Sequence, residues 1–374
     1  MSTRELPSRG GRHRAGAPVS QADPVRVLVV GDPYMPASIF ASAFGSLGGA
    51  VTVTELQIAS NAMAPPRTES GRVLREYAGD PADVAAAVAG HQVLVVHGAP
   101  VTAEVLDAAP LRMVCCARGG PVNIDVAAAT ARGIPVTSAP GRNAEAVAEL
   151  TIAFALMLIR GVPAASRYLY RAGAHADSVY EGREFIGGEA ASSTLGLVGV
   201  GHVGREVAAR ARGLGFTLLG YDPAPPGAIP AGVTMVPFDV LLSRSDIISV
   251  HARATPDNRH LFGAAEFARM PRGSYFINTA RESLVDEDAL ARALASSTLA
   301  GAALDVAERP AAGDRHPLLD LPNVIITPHI GGATSETLRR GAEMTAAAVS
   351  RLLSGATPDH LVNPEIMSRT EAAS

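Results

Sequence analysis

The stretch Thr194 to Asp222, TLGLVGVGHVGREVAARARGLGFTLLGYD, constrains this chain more than any other. An apolar run, Leu195 to Val198, leads into Gly199-x-Gly201-x-x-Gly204, then a helical pattern, a second apolar run from Thr217 to Gly220, and Asp222. Each glycine has a different physical reason. Gly199 allows the tight turn, Gly201 lets a pyrophosphate approach the backbone, and Gly204 lets the helix lie close to the sheet. The amides that open that helix, around His202 and Val203, lack intrahelical partners and sit at the positive end of its dipole, which makes them an anion site. Asp222 is placed to accept bonds from both ribose hydroxyls and to repel a 2′-phosphate. Strand, glycines, helix, strand and acid in this order predict dinucleotide binding, with NAD favoured over NADP.

At 374 residues the chain is long for one core, so two domains are expected. Hydrophobic content of 47% with 18% charged residues fits an ordinary globular protein. The net charge of −4 and 4% aromatic content offer neither a basic footprint nor a stacking platform, so no nucleic-acid partner is expected. Cys115 and Cys116 are adjacent in an apolar run and would face opposite sides of a strand, which disfavours a disulfide and suits a reducing cytoplasm. Residues 1–24 are polar, with Arg4, Arg9, Arg12 and Arg14, and read as a disordered tail without a signal-peptide core. The most apolar segment, Ala144 to Ile159, is interrupted by Glu145 and Glu149 and reads as a buried helix, not a membrane span.

From Val25 onward strands alternate with helices. Strands are expected at Val25–Val30, Val51–Leu56, Gln92–His97, Arg112–Ala117 and Pro135–Ala139, with helices at Pro36–Leu47, Pro81–Ala89, Thr102–Ala109 and Ile124–Arg132. Asn143 to Ala172 reads as mostly one long helix, and Gly173 to Ser193 as a connection. After the glycine motif, strands are expected at Val233–Val236, Ile247–His251, Ser274–Thr279, Ala300–Val306 and Val324–Thr327. Asp286–Ser297 and Ser335–Ser354 are expected to be helical. The pattern predicts an α/β fold of two doubly wound parallel sheets covered on both faces. Active crevices in such folds lie beyond the carboxyl ends of the strands. That points to His97–Ala99, Arg118-Gly119-Gly120, Asn278–Arg281 and Thr327-Pro328-His329.

From about Val93 to Asn363 the chain resembles the D-isomer-specific 2-hydroxyacid dehydrogenases, a family that also includes phosphoglycerate, formate and phosphite dehydrogenases. The matching stretches are RGIPVTSAPGRNAEAVAELT (132–151), the glycine motif, INTARESLVDEDAL (277–290), AALDV (302–306) and LPNVIITPHIGGAT (321–334). The resemblance implies a Rossmann NAD-binding domain, 143–330, and a flavodoxin-like substrate domain built from both chain ends, 25–142 and 331–374. It implies a homodimer and a small 2-oxo or 2-hydroxy acid as substrate, with no metal.

The resemblance also distributes roles. Arg281, in N-T-A-R, clamps the substrate carboxylate with its planar fork. His329 is the acid/base, and imidazole suits proton transfer near neutral pH. The carboxylate that tunes this histidine usually precedes a proline. Here Asp305-Val306-Ala307-Glu308-Arg309-Pro310 is one residue shorter, so either Glu308 does that job or Arg309 occupies its place. Asp305 corresponds to the acceptor for the nicotinamide carboxamide, or is an ordinary strand-end aspartate. Thr279, His251 and Thr255 fall on the cofactor side; Arg253 stands where the family usually has proline, and contacts the cofactor or faces solvent. His97, Arg118, Gly119, Gly120 and Asn143 fall on the substrate side, although Asn143 can instead cap the helix that follows. The segment R-G-G-P-V-N-I-D departs from the commoner G-x-G-x-D-N-I-D. Arg67, Arg72, Arg118 and Arg142 would suit a phosphorylated or phosphonate-bearing substrate if they line the cleft, and are surface residues if they do not. The alternative functions are a dehydrogenase of the same fold acting on a phosphonate-bearing, phosphite or other small oxyanion substrate such as formate, and an NADH-sensing binding protein without turnover.

Overall fold

The computed structural model describes residues 23–60, 62–172, 183, 185–225, 227–308 and 315–367. The expected tail lies almost wholly outside the described residues, as do Arg309 and most of the connection after residue 172.

Two parallel sheets form the frame. The first contains β1 (Val25–Gly31), β2 (Val51–Gln57), β3 (Val93–Val96), β4 (Met113–Cys116) and β5 (Val136–Thr137), in the order β2-β1-β3-β4-β5. That is the flavodoxin-like order. Its strands are apolar on both faces because helices cover both faces. Val27 and Val29 enter one core cluster while Leu28 and Val30 enter the other. Cys115 and Cys116 divide the same way, both buried and free. Burial pushes their thiols up to about 12 and about 11, so both stay protonated and unreactive.

The second sheet contains β6 (Thr194–Val198), β7 (Thr217–Tyr221), β8 (Val233–Met235), β9 (Ile247–Val250), β10 (Ser274–Asn278), β11 (Leu299–Leu304) and β12 (Val324–Ile326). Its order, β12-β11-β10-β9-β6-β7-β8, is the Rossmann order extended by one strand. One face packs on the helix Ala144–Ile159 and the helix His202–Gly213; the other holds a cluster including Phe262, Phe267 and Phe276.

The chain crosses between the sheets twice. The helix Ala144–Ile159 follows β5 and packs against the second sheet. After β12 the helix Ser335–Leu353 returns, placing Ala342, Ala346 and Val349 in the core of the first sheet beside Phe40 and Phe44. The single long helix expected over 143–172 is broken. Gly161 takes φ 62°, and the segments Ala144–Ile159 and Val162–Tyr168 meet at a 62° bend. A left-handed residue ends a helix, and glycine adopts that conformation without a Cβ penalty. Among the described residues no single helix is long and apolar enough to cross a membrane.

Candidate active site

The strand order of the second sheet reverses at β6, which pairs with β7 on one side and β9 on the other. The loops that leave the carboxyl ends there carry the glycine motif, Asp222 and His251; those of β10, β11 and β12 carry Arg281, Asp305 and His329. Loops from the first sheet come to the same place: a Cβ on Gly141 would lie 3.1 Å from the ring of His202, and one on Gly332 3.1 Å from the amide of Asn143.

The glycine motif separates into two tight positions and one open one. A Cβ on Gly199 would meet the backbone of His251 and Ala252 at 2.7–2.9 Å, and Gly199 itself has φ 96°. A Cβ on Gly204 would lie 2.2 Å from the Gly199 carbonyl oxygen. At Gly201 it would meet nothing within 4 Å. Gly201 is also the N-cap of the helix His202–Gly213, and no side chain caps that end. An open approach to uncapped amides fits a pyrophosphate. Asp222 accepts the Val200 and Ala224 N–H groups at 3.0 Å each, which fixes the carboxylate beside the turn with lone pairs to spare. His251 accepts or donates through Nε2 to the Ser249 hydroxyl at 2.9 Å, and its Nδ1 is buried without a partner among the described residues. Burial holds its pKa down to about 3, so the ring is neutral. Thr255 is engaged locally, capping the turn Pro256–Asn258, and Arg253 is exposed with its carbonyl accepting from Asn258. The open glycine turn and the Asp222 carboxylate fit the pyrophosphate and ribose parts of a dinucleotide.

Two loops present Arg281 and His329 at the carboxyl ends of β10 and β12. Asn278, buried at the end of β10, accepts the Ala280 N–H at 3.0 Å and donates to the Arg281 carbonyl at 2.8 Å. It staples the N-T-A-R turn and leaves the Arg281 guanidinium exposed, with one contact to the Ala280 carbonyl at 2.7 Å. Thr279 meets Thr151 at 3.1 Å, joining the same turn to the helix Ala144–Ile159. His329 has φ 58°, a conformation an L side chain rarely adopts, and its ring is exposed. The buried carboxylate of Asp305 holds that turn, accepting the Thr327 hydroxyl at 2.6 Å, the Ile330 N–H at 2.8 Å and the Gly331 N–H at 2.7 Å.

Glu308 is exposed. Its N–H donates to Glu287 at 2.8 Å, and its carboxylate lies 4.0 Å from the Arg259 guanidinium. Glu287 also pairs with His316 at 2.7 Å. His316 Nδ1 accepts the Leu318 N–H, so its proton sits on Nε2, facing the carboxylate.

On the first sheet, sequence reasoning found His97 but missed what surrounds it. His97 Nδ1 lies 2.7 Å from Asp32, and Arg142 donates to its Nε2 at 3.2 Å. Facing a donor on one side and a carboxylate on the other, the ring is neutral with its proton on Nδ1. Burial lowers the His97 pKa against the opposing influence of Asp32. Burial alone would raise Asp32, but the bond from His97 and those from the Met35 and Gly98 amides together bring it below its usual value. Tyr34 lies flat on the imidazole, with centroids 5.3 Å apart and ring planes at 13°. Asp32 and Tyr34 follow the first strand, where no glycine motif drew attention; the Asp-Pro turn after an apolar run was the available signal. Arg118 donates to the carboxylate of Glu76 and, at 2.7 Å, to its carbonyl. Gly119 and Gly120 follow it, exposed. Asn143 occupies the N-cap of the helix Ala144–Ile159 without a side-chain capping bond.

Known proteins share this sequence and fold. Residues 152–331 match the family described as "D-isomer specific 2-hydroxyacid dehydrogenase, NAD binding domain". A glyoxylate reductase of Korarchaeum cryptofilum is 39% identical over 271 residues, covering 72% of this chain and 81% of that protein. A D-3-phosphoglycerate dehydrogenase of Methanocaldococcus jannaschii is 37% identical over 276 residues, 72% of this chain but only 51% of the longer relative. Among solved structures, the TT0316 protein from Thermus thermophilus superposes with a TM-score of 0.72 at 31% identity, covering 90% of this chain and all of that one. The chain therefore belongs to the D-isomer-specific 2-hydroxyacid dehydrogenases, a family of NAD-dependent oxidoreductases, and carries the family's NAD-binding domain on β6 to β12.

Proposed function

We propose that the protein catalyses reversible transfer of hydride between NADH and C2 of a small 2-oxo acid, giving the D-2-hydroxy acid. The observation that carries this reading is that Arg281, His329 and the open glycine motif all follow the carboxyl ends of strands of one parallel sheet. When bound, the nicotinamide supplies the hydride that reduces C2.

The chain's own groups do the rest. Gly201, His202 and Val203 offer amides to the pyrophosphate, Gly199 and Gly204 keep that turn tight, and Asp222 takes the ribose hydroxyls. Arg281 holds the substrate carboxylate through two parallel bonds, which fixes the adjacent carbonyl near His329. His329 gives its proton to the carbonyl oxygen during reduction and recovers it from the hydroxyl in the reverse direction. Arg118, Gly119, Gly120 and Asn143 complete the substrate side, with His97 behind them. Glu308 is the carboxylate proposed to orient His329; its N–H is tethered to Glu287 and its carboxylate lies 4.0 Å from the Arg259 guanidinium. Closure of the two sheets' loops over the substrate would exclude water during transfer.

A homodimer is part of the proposal, supported by the exposed apolar side chains of Val162, Tyr168 and Ile186 on one helix and the segment after it. A reducing compartment such as the cytoplasm is proposed from the two buried free thiols. The test is NADH oxidation with a panel of 2-oxo acids, using His329→Ala as control. Turnover that the substitution abolishes supports the reading, and NADH binding without turnover on any acid overturns it.

A further inference from the structure

Arg281 and His329 follow β10 and β12, and β11, which lies between those strands in the sheet, ends at Asp305. One buried carboxylate joins the segments that continue from β10 and β11 to the one that leads into β12. Glu287 opens the helix Glu287–Ala295, six residues after Arg281. The turn Glu282–Leu284 and the Asp286 N-cap, whose carboxylate accepts the Ala289 N–H at 2.9 Å, fix it there. Its Oε1 accepts the Glu308 N–H at 2.8 Å, three residues beyond Asp305. Its Oε2 lies 2.7 Å from Nε2 of His316, the N-cap of the turn Pro317–Asp320 that precedes β12. The Glu287 and His316 side chains are each 9% exposed.

The chemistry of this contact suits a carboxylate and no other side chain of its length. His316 Nδ1 accepts the Leu318 N–H at 3.3 Å, so its Nε2 carries the proton and donates to Glu287. The main chain of Glu308 donates through its N–H. Two fixed donors therefore meet the two oxygens of Glu287. A glutamine has one oxygen and one NH2, so in either orientation it sets a donor against a donor. A buried donor left without an acceptor costs more than the bond itself returned. Asp286 already caps the helix, so the Glu287 carboxylate serves the two neighbouring segments and not its own.

We infer that Glu287 is a positioning residue for the reaction: clasped by His316, it fixes the main chain at Glu308 and thereby the loop that runs back to Asp305, whose carboxylate holds the His329 turn. The inference rests on the 2-oxo acid reading above, with His329 as the acid/base. Glu287 acts through the Asp305 loop and needs no contact with the substrate.

The experiment measures kcat, KM and NADH affinity with a panel of 2-oxo acids for the unaltered protein, Glu287→Gln, Asp305→Asn and the double variant, each well below its melting temperature. Glu287→Gln is expected to lower kcat roughly tenfold, less than the ~100-fold of a 1 Å misplacement, while KM and NADH affinity hold. Because both residues act on one loop, the double variant is expected to be little slower than Asp305→Asn alone. An unchanged kcat in Glu287→Gln overturns the inference, and so do fully additive losses, which would place Glu287 on a separate structural role. A second measurement needs no variant: hydrogen exchange at the Glu308 amide is expected to be slowed by its bond to Glu287, and exchange at the rate of an unfolded chain overturns the inference. Absence of turnover with every acid, while NADH still binds, overturns the 2-oxo acid reading and this inference with it. Turnover that Glu287→Gln leaves intact overturns this inference alone.

Discussion

Asp305 grips the turn on both sides of His329, accepting the Thr327 hydroxyl before it and the Ile330 and Gly331 N–H groups after it. All three donors point at one buried carboxylate, and His329 between them is left in a left-handed conformation. Asp305→Asn keeps the shape but turns an NH2 toward an N–H or O–H donor. The loss of one satisfied bond and the exposure of one buried donor are expected to cost about 1–3 kcal/mol. Thermal or urea unfolding measures that, and kcat is expected to fall with it because the His329 turn loses its anchor.

Arg281 is held by its backbone, not by its guanidinium: Asn278 staples the turn, and the fork has one contact to a carbonyl. Arg281→Lys therefore leaves the turn intact and removes only bidentate geometry. With charge-assisted bonds worth about 1.5–3 kcal/mol each, kcat/KM is expected to drop roughly 10- to 100-fold. NADH affinity, read by fluorescence titration, is expected to hold. An equal loss of NADH affinity would place Arg281 on the cofactor side.

The glycine motif separates packing from binding. Gly201→Ala adds a methyl that meets nothing in the protein, so stability is expected to change by no more than about 1 kcal/mol. NADH affinity is expected to fall sharply, since the methyl stands where the pyrophosphate would approach. Gly204→Ala places a Cβ 2.2 Å from the Gly199 carbonyl oxygen and is expected to destabilise the fold itself. Melting curves with and without NADH distinguish the two.

The buried histidines set the acid limit of stability. His97 and His251 have pKa values below that of a free imidazole, chiefly through burial, so the unfolded chain binds their protons more readily. Stability is expected to be complete above about pH 6.5 and to decline as pH falls from there, by up to about 1.4 kcal/mol per pH unit for each histidine. For His251 the decline runs down to about 3. Asp32, held below its usual value, adds a loss only below about pH 3.8. Urea unfolding at several pH values measures the slope, and His251→Asn is expected to flatten it.

Much of the frame is legible in the sequence because each strand is a short apolar run bounded by turn residues, and because the three glycines of the nucleotide motif have distinct steric reasons. Arg281 and His329 are legible from their places after apolar runs. What escapes is whatever depends on residues far apart in sequence. The Asp32–His97–Arg142 relay joins three separate strand ends. Asp305 reads in sequence as a carboxamide acceptor or an ordinary strand-end aspartate, and neither reading announces the hydrogen bonds that it accepts in the fold from the His329 turn. Asn143, open to two readings, makes no capping bond. The break at Gly161 is missed because apolar periodicity continues across it, while the backbone there needs a positive φ that only the glycine announces.

The most direct test of the central claim is the rate of NADH oxidation in the presence of 2-oxo acids, compared between the unaltered protein and His329→Ala. Turnover with at least one acid is expected, with a loss of roughly 100-fold or more in the variant, the usual weight of a general acid, and with NADH binding retained. Equal rates in the two proteins, or NADH binding with no turnover on any acid, would contradict it.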